Sequence, residues 1–260
     1  MNAGERAKVI AADLSHNTVR PDYADPTLYQ VGRNFDSPDD RRSTPRGRIL
    51  GEFLDRVQPA HVIEVGPGAG FYTRLIVSHP AVREYTAVDL NPAFLEYLRP
   101  RIGSAGVRSH IVHGTIDRLT TCADAALLIS TVHHVPDRVA LFMDLERNLA
   151  PGGAVLAIDP PHYLLQLRKI WRKCLTRGYL ATALATGNLS THNMCTLSEY
   201  RRIVRRTGFE IRQAVFSNHP KRVVRLAERG IPLGPLWRWT SQDMAVELTK
   251  SIAVSHSVPR

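Results

Sequence analysis

The chain has 260 residues, of which 43% are apolar, and it carries a formal net charge of +10 at pH 7. This length and composition are typical of one globular domain with room for a modest lid. No apolar run approaches about 18 residues and the first residues lack a signal-peptide core, so we expect neither a membrane span nor export. Three widely spaced cysteines argue against a disulfide framework, and we expect a cytoplasmic protein.

The positive charge is concentrated in one part of the chain. Residues 160–225 contain thirteen lysines or arginines and two acidic residues, which gives this stretch a net charge of +11. A basic stretch of this kind fits a solvated face, an anionic substrate, a nucleic acid or a membrane surface. Arginines outnumber lysines by 29 to 5, and the guanidinium fork suits carboxylates and phosphates.

The first 43 residues are polar and rich in turn-forming residues. We expect a helix at 3–14 and a loop after it, which together form an N-terminal segment at 1–43. Thr44 and Pro45 then predict the start of a helix, as its N-cap and its first residue. The main domain is expected to span residues 44–260.

Strand and helix patterns alternate from residue 61 onward. Apolar runs predict five strands, at about 61–66, 84–89, 107–112, 123–130 and 153–159. Asn91-Pro92 and Pro136 mark helix starts between strands. This alternation predicts an α/β fold with a mostly parallel sheet, helices on both faces, and a ligand at the carboxyl ends of the strands.

The alternation is interrupted at about 160–195, where apolar and basic residues recur at helical spacing. We interpret this stretch as a helical lid inserted after the fifth strand. Tyr163, Trp171 and His192 are candidates for lining an apolar substrate pocket, although aromatic residues at this spacing also fit plain core packing. A capping box at 196–199 opens the next helix, and segments 209–216 and 245–254 are predicted to be closing strands.

The most specific pattern follows the first strand. Gly66, Gly68 and Gly70 form a G-x-G-x-G motif, and the second strand ends in Asp89, nineteen residues after Gly70. Glycines at a strand-to-helix turn allow a ligand to lie against the backbone. An acidic residue about 20 positions further on is placed to bind ribose hydroxyls. The two signals together predict a nucleoside cofactor.

Four motifs occur in the order and spacing of class I S-adenosylmethionine-dependent methyltransferases, and the resemblance covers roughly residues 45–255. These motifs are Glu64–Gly70 (EVGPGAG), Val88–Pro92 (VDLNP), Thr131–Asp137 (TVHHVPD) and Leu149–Gly153 (LAPGG). The histidine motif is most similar to small-molecule enzymes of the ubiquinone/menaquinone type and their natural-product relatives. The resemblance implies S-adenosylmethionine as cofactor and a Rossmann-like, doubly wound, seven-stranded sheet, mostly parallel with the last strand antiparallel.

The same resemblance implies a set of cofactor-binding residues. They are Glu64, Gly66, Gly68, Gly70, Asp89, Leu90, Thr115, Ile116 and Ser130. Each also has an ordinary structural interpretation, as a turn residue, a cap or a core residue. Thr115 departs from the family pattern, which often has an aspartate there, so Asp117 is an alternative contact for the adenine.

His133 and His134 follow the fourth strand, where related quinone O-methyltransferases have a Glu-His pair. Near neutral pH, a histidine can take a proton from a phenol, carboxylic acid or ammonium group that is to receive the methyl group. We favour His134 as the base. For both histidines, the alternative is a structural role in which the side chain packs and holds the loop in place. No metal is expected, because two histidines without carboxylate neighbours make a poor metal site.

A second motif, Asp159-Pro-Pro-His162, resembles one that adenine-N6 methyltransferases use. It follows the fifth strand rather than the fourth, and a histidine replaces the aromatic residue that stacks on a flipped base. We therefore interpret it as a rigid exit from the strand, and a nucleic-acid substrate is not favoured.

These patterns predict a methyltransferase of biosynthetic or secondary metabolism that acts on a small, partly apolar metabolite. O- or N-methylation is favoured, C-methylation stays open, and an anionic or lipid-like acceptor is an additional expectation. An RNA methyltransferase and a cofactor-binding module without methyl transfer are the alternatives. The sequence leaves a homodimer open.

Overall fold

The computed structural model describes residues 33–38, 40–160, 195–219, 221–229 and 231–251 except 233, 235–237 and 239. The predicted helix at 3–14 and the predicted lid lie outside the described residues. Tyr163, Trp171 and His192 lie in that lid, so their proposed contacts with a substrate stay predictions.

The described residues form six α-helices and seven strands. The helices are α1 (Pro45–Val57), α2 (Thr73–Val77), α3 (Pro92–Gly103), α4 (Arg138–Asn148), α5 (Leu197–Val204) and α6 (Lys221–Glu228). The strands are β1 (His61–Val65), β2 (Glu84–Asp89), β3 (Arg108–His113), β4 (Ala123–Ile129), β5 (Leu149–Asp159), β6 (Phe209–Ser217) and β7 (Asp243–Lys250). None of these helices is long and apolar enough to cross a membrane.

All seven strands belong to one sheet with the order β3-β2-β1-β4-β5-β7-β6. The first five strands are parallel to one another. The last strand, β7, is antiparallel to both of its neighbours. This arrangement confirms the predicted α/β class and the antiparallel last strand.

The sheet is covered on both faces, as expected for a doubly wound fold. On one face, side chains of α1, α2 and α3 pack against the sheet in a single buried cluster. On the other face, α4 and α5 contribute to a second buried cluster, in which the rings of Phe142 and Tyr200 meet edge to face with centroids 6.0 Å apart. Apolar burial on both faces explains why the strand sequences are apolar runs rather than alternating patterns.

Side-chain caps fix several helix starts where the sequence predicted them. Thr44 Oγ1 accepts a hydrogen bond from Gly47 N at 3.0 Å, and Asn91 Oδ1 accepts one from Ala93 N at 3.0 Å. The capping box of α5 is present in both directions between Thr196 and Glu199. These bonds satisfy backbone donors that a helix start otherwise leaves unpaired.

Three predicted boundaries differ from the structure by a few residues. The helix expected to start at Pro136 starts at Arg138, because Asp137 is its N-cap and accepts a bond from Ala140 N at 3.0 Å. The fifth strand starts at Leu149 rather than at 153, since Leu149 already pairs with Ala123 of β4 before an irregularity in the register. The closing strand predicted at 245–254 begins earlier, at Asp243, and ends at Lys250, and residues 252–254 lie outside the described residues.

Candidate functional site

A cavity of about 1020 Å³ opens at the carboxyl ends of the parallel strands. Its walls contain residues that follow β1, β2, β3 and β4, the first turn of α1 and the start of β7. The strands β2 and β4 lie on opposite sides of β1, so the strand order reverses at β1. A point of reversal at the carboxyl edge is where open α/β sheets bind ligands, which is the location that the sequence predicted.

The glycine motif forms the turn beneath this cavity. Gly66, Gly68 and Gly70 have φ angles of 70°, 54° and 78°, in the left-handed region that favours glycine. A Cβ atom on Gly66 would lie 2.8 Å from Thr131 Oγ1, and one on Gly70 would lie 2.3 Å from Leu98 Cδ2. The packing of the protein itself therefore favours glycine at two of these three positions, independently of any ligand.

Asp89 is held at the cavity by backbone hydrogen bonds. Its Oδ1 accepts a bond from Asn91 N at 2.8 Å, and its Oδ2 accepts one from Gly68 N at 3.1 Å. The carboxylate is thus oriented by the glycine turn on one side and by the start of α3 on the other. Since two carboxylate oxygens offer about four acceptor positions, the group can also accept bonds from a ligand.

Glu64 is a buried carboxyl group in the cavity wall. Its Oε2 accepts hydrogen bonds from Tyr85 Oη at 2.6 Å and from Thr73 Oγ1 at 2.7 Å. Burial raises the pKa of Glu64 to about 7, although the two hydroxyl donors oppose the rise, and the charge of Asp89 adds to it. A cationic group placed beside Glu64 would stabilise its charged form.

Most of the predicted cofactor-binding residues meet at this cavity. Eight of the nine line it, and Gly70 lies in the turn behind it. Thr115 and Asp117, the two alternatives for the adenine contact, are hydrogen-bonded to each other, and both face the cavity. A ligand there would meet both polar groups.

The two predicted catalytic histidines have different surroundings. His134 lines the cavity, whereas His133 lies outside its wall. The Nδ1 atom of His133 is 2.5 Å from Oδ1 of Asp159, a fully buried carboxylate at the end of β5. The two histidine rings are 4.0 Å apart between centroids. His133 is therefore anchored to the sheet, and it supports the residue that faces the cavity.

Asp159 was missed as a functional residue, because the sequence favoured a rigid strand exit there. The sequence did contain a signal for this contact, because Asp159 and His133 both lie at the carboxyl ends of predicted strands. Since β4 and β5 are neighbours, a carboxylate that ends β5 lies beside the turn that follows β4.

Arg46 was also missed. It lies in the first turn of α1, and it donates to Asp243 Oδ1 through Nε at 2.9 Å and through Nη2 at 2.5 Å. Its Nη1 donates to the hydroxyl of Ser130. Burial lowers the pKa of Arg46, but the hydrogen bonds to Asp243 and the charge of Asp243 outweigh this effect. The pKa of Arg46 is therefore raised above its ordinary value. The available signal was a cation in the first turn of a helix, where the helix dipole disfavours positive charge.

Among the residues that the structure describes, no group of three histidine, cysteine or acidic side chains is placed to hold a metal ion. The site consists of a glycine turn, fixed carboxylates, two histidines and an arginine. This set can bind a polar, partly cationic nucleoside and can hold a second molecule beside it.

Comparison with known families agrees with this geometry. Residues 63–157 match a family model described as "Methyltransferase domain". The matched segment contains the glycine turn, Asp89, both histidines and most of β5.

Two relatives illustrate the sequence similarity. The chain is 31% identical over 168 residues to a trans-aconitate 2-methyltransferase from Acidovorax ebreus, a match that covers 61% of this chain and 60% of the relative. It is 32% identical over 120 residues to a malonyl-[acyl-carrier protein] O-methyltransferase from Halorhodospira halophila, which covers 45% of this chain and 40% of the relative. The matched region thus spans less than two thirds of these relatives.

The fold is also similar to solved structures. The magnesium protoporphyrin IX methyltransferase from Synechocystis PCC 6803, solved with bound SAH, aligns with a TM-score of 0.54 over 78% of this chain and 81% of that chain. The sequence identity is 15%, so this similarity concerns the fold alone.

Proposed function

We propose that this chain, which belongs to the class I S-adenosylmethionine-dependent methyltransferase family, transfers a methyl group from S-adenosylmethionine to an oxygen or nitrogen atom of a small molecule. The observation that carries the proposal is the glycine turn at residues 66–70, which holds the carboxylate of Asp89 at the switch point of the sheet.

The residues of the cavity fit the cofactor. The carboxylate of Asp89 would accept hydrogen bonds from both ribose hydroxyls, and Glu64 would face the amino group of the methionine part. Leu90 and Ile116 would pack on the adenine, with Thr115 and Asp117 near its polar edge. All of these side chains line the cavity. The backbone at Gly66, Gly68 and Ser130 would contact the rest of the molecule.

When it is bound, S-adenosylmethionine supplies a methyl group on positively charged sulfur, which is already a good electrophile. The protein therefore has to align the acceptor atom and keep water away, and alignment accounts for most of the expected acceleration. Where the acceptor atom carries a proton, His134 would take it. His133 and Asp159 would hold the turn that positions His134.

A small-molecule acceptor is supported by the similar proteins, whose names include trans-aconitate and malonyl-[acyl-carrier protein]. Both names denote compounds with carboxyl groups, in line with the expected anionic acceptor. We also propose a biosynthetic role in the cytoplasm.

Cofactor binding is the first test of this function. Asp89→Ala should weaken the binding of S-adenosylhomocysteine, the demethylated product, by about 2–3 kcal/mol, because two ribose hydroxyls lose a charged acceptor. Titration calorimetry measures this loss. Glu96→Ala, which removes an exposed carboxylate from the next helix, is the matched control and should bind like wild type.

If the wild-type protein does not bind S-adenosylhomocysteine at millimolar concentration, the proposed function is wrong. Equal affinity of the Asp89 and Glu96 variants would show that the ligand lies elsewhere.

A further inference from the structure

We propose that Arg46 and Arg33 form an anion-binding subsite in the acceptor half of the cavity, and that the methyl acceptor carries a carboxylate group that this subsite holds. This inference rests on the proposed function, because it assigns the chemical class of the acceptor.

Arg46 keeps donors for a ligand after its bonds within the protein are counted. A guanidinium group has five N–H donors, and Asp243 and Ser130 take three of them. The side chain is 25% exposed and lines the cavity. The two remaining donors are on the terminal nitrogens, which form the edge of the fork that binds a carboxylate.

The surroundings of Arg46 fix its position from three separate parts of the chain. Asp243 begins β7, and its Oδ2 accepts a bond from Asn218 Nδ2 at 2.9 Å. Ser130 and Asn218 have φ angles of 60° and 59°, a left-handed conformation that non-glycine residues rarely adopt. Both residues line the cavity. Backbone strain of this kind concentrates at ligand-binding sites, and here it serves to hold one arginine in place.

Arg33 supplies a second cation beside Tyr72, a residue close enough to Arg46 to affect the pKa of that arginine. Its Nη2 donates to the hydroxyl of Tyr72 at 3.4 Å, and its guanidinium carbon lies 4.7 Å from the centroid of the Phe71 ring. Within the described part of the chain, no carboxylate forms an ion pair with Arg33, although it lines the cavity. Asp243 forms an ion pair with Arg46, so Arg33 is the one of the two arginines that pairs with no carboxylate of the described residues.

The subsite lies on the acceptor side of the sheet. The cofactor half is formed by turns after β1, β2 and β3, and it contains Glu64, Asp89 and Asp117. Arg46 instead contacts the end of β4 and the start of β7. The strand β7 is three places from β1 in the sheet, about 14 Å away. Glu64 and Asp89 thus lie on the half of the cavity that faces β1 and β2, and Arg46 lies on the half that faces β4 and β7.

The alternative source of a carboxylate is the methionine part of the cofactor itself. The test therefore measures cofactor and acceptor binding separately. The probes are two acids, trans-aconitate and benzoate, and their uncharged esters, trimethyl trans-aconitate and methyl benzoate. Each probe is titrated in the presence of saturating S-adenosylhomocysteine.

The wild-type protein should bind at least one of the two acids at least about tenfold more tightly than its ester. Arg46→Lys keeps the positive charge beside Asp243 but loses the paired donors of the guanidinium group. Arg33→Gln removes the second positive charge. Each substitution should abolish most of the preference for the acid over its ester. Arg48→Gln, on an exposed position of the same helix, removes the same charge outside the cavity and should leave the preference intact. A purely structural role of Arg46 would weaken acid and ester alike.

The inference is overturned if neither acid is preferred over its ester, or if Arg46→Lys and Arg33→Gln keep the preference. It is also overturned if Arg46→Lys weakens S-adenosylhomocysteine as much as it weakens the acid, since the arginine then serves the cofactor. A wild-type protein that binds S-adenosylhomocysteine but no acid refutes this inference alone, whereas one that binds no S-adenosylhomocysteine refutes the proposed function.

Discussion

Glu64 shows how one buried residue can make the stability of the protein depend on pH. Its carboxyl group is buried, and burial raises its pKa to about 7 from an ordinary value of 4.5. Between these two pH values the folded protein holds a proton that the unfolded chain has released. The contribution of Glu64 to the stability of the cofactor-free protein should therefore fall as pH rises from about 4.5 to about 7.

A neutral side chain at this position should remove that loss. Gln at position 64 can still accept bonds from the hydroxyls of Tyr85 and Thr73, but it does not ionise. We expect Glu64→Gln to gain roughly 1–3 kcal/mol relative to wild type between pH 5 and pH 8, measured by urea unfolding without cofactor. Glu96→Gln, at an exposed position, should show no such gain. A difference between Glu64→Gln and wild type that does not change with pH would contradict the raised pKa.

At the scale of elements, the turn between β1 and α2 tolerates little change. Gly70 has a φ of 78°, and an added Cβ atom would overlap a methyl group of Leu98. We expect Gly70→Ala to destabilise the protein by roughly 2–4 kcal/mol, from backbone strain and overpacking together.

Gly103 at the end of α3 offers a matched control, since no atom lies within 4 Å of its added Cβ. Gly103→Ala should leave stability unchanged or raise it by up to about 1 kcal/mol, because alanine restricts the unfolded chain. Thermal or urea unfolding of both variants measures the difference. Equal stabilities would show that the turn is able to relax around a methyl group at position 70.

The sequence was most informative where structure depends on nearby residues. Thr44 and Asn91 cap helices through bonds that span two or three residues, and those starts were predicted correctly. The predicted start of α4 was wrong because two adjacent residues, Pro136 and Asp137, both favour a helix start, and only Asp137 acts as the cap. The start of β5 was wrong because it depends on pairing with β4, which local patterns do not reveal.

At the scale of the whole molecule, the sequence located the cavity residues that follow β1 and β2 and missed Arg46 and Asp243. The glycine motif and Asp89 are about 20 residues apart, at a spacing that the fold imposes. Arg46 and Asp243 are 197 positions apart, and their contact requires β7 to insert beside β5. Such a pair leaves no trace in the periodicity of a single sequence. The predicted substrate contacts at Tyr163, Trp171 and His192 remain predictions, because these residues lie outside the described part of the chain.

The central claim is that this chain moves a methyl group from S-adenosylmethionine to a small molecule. The direct measurement is incubation of the purified protein with S-adenosylmethionine labelled in the methyl group and a cell extract, followed by separation of small molecules from RNA and protein. We expect label in the small-molecule fraction. If the acceptor atom must lose a proton, the rate of methyl transfer by His134→Gln should be roughly 10²- to 10⁴-fold lower than that of the wild type. Label confined to RNA, or no transfer by a protein that binds the cofactor, would contradict this account.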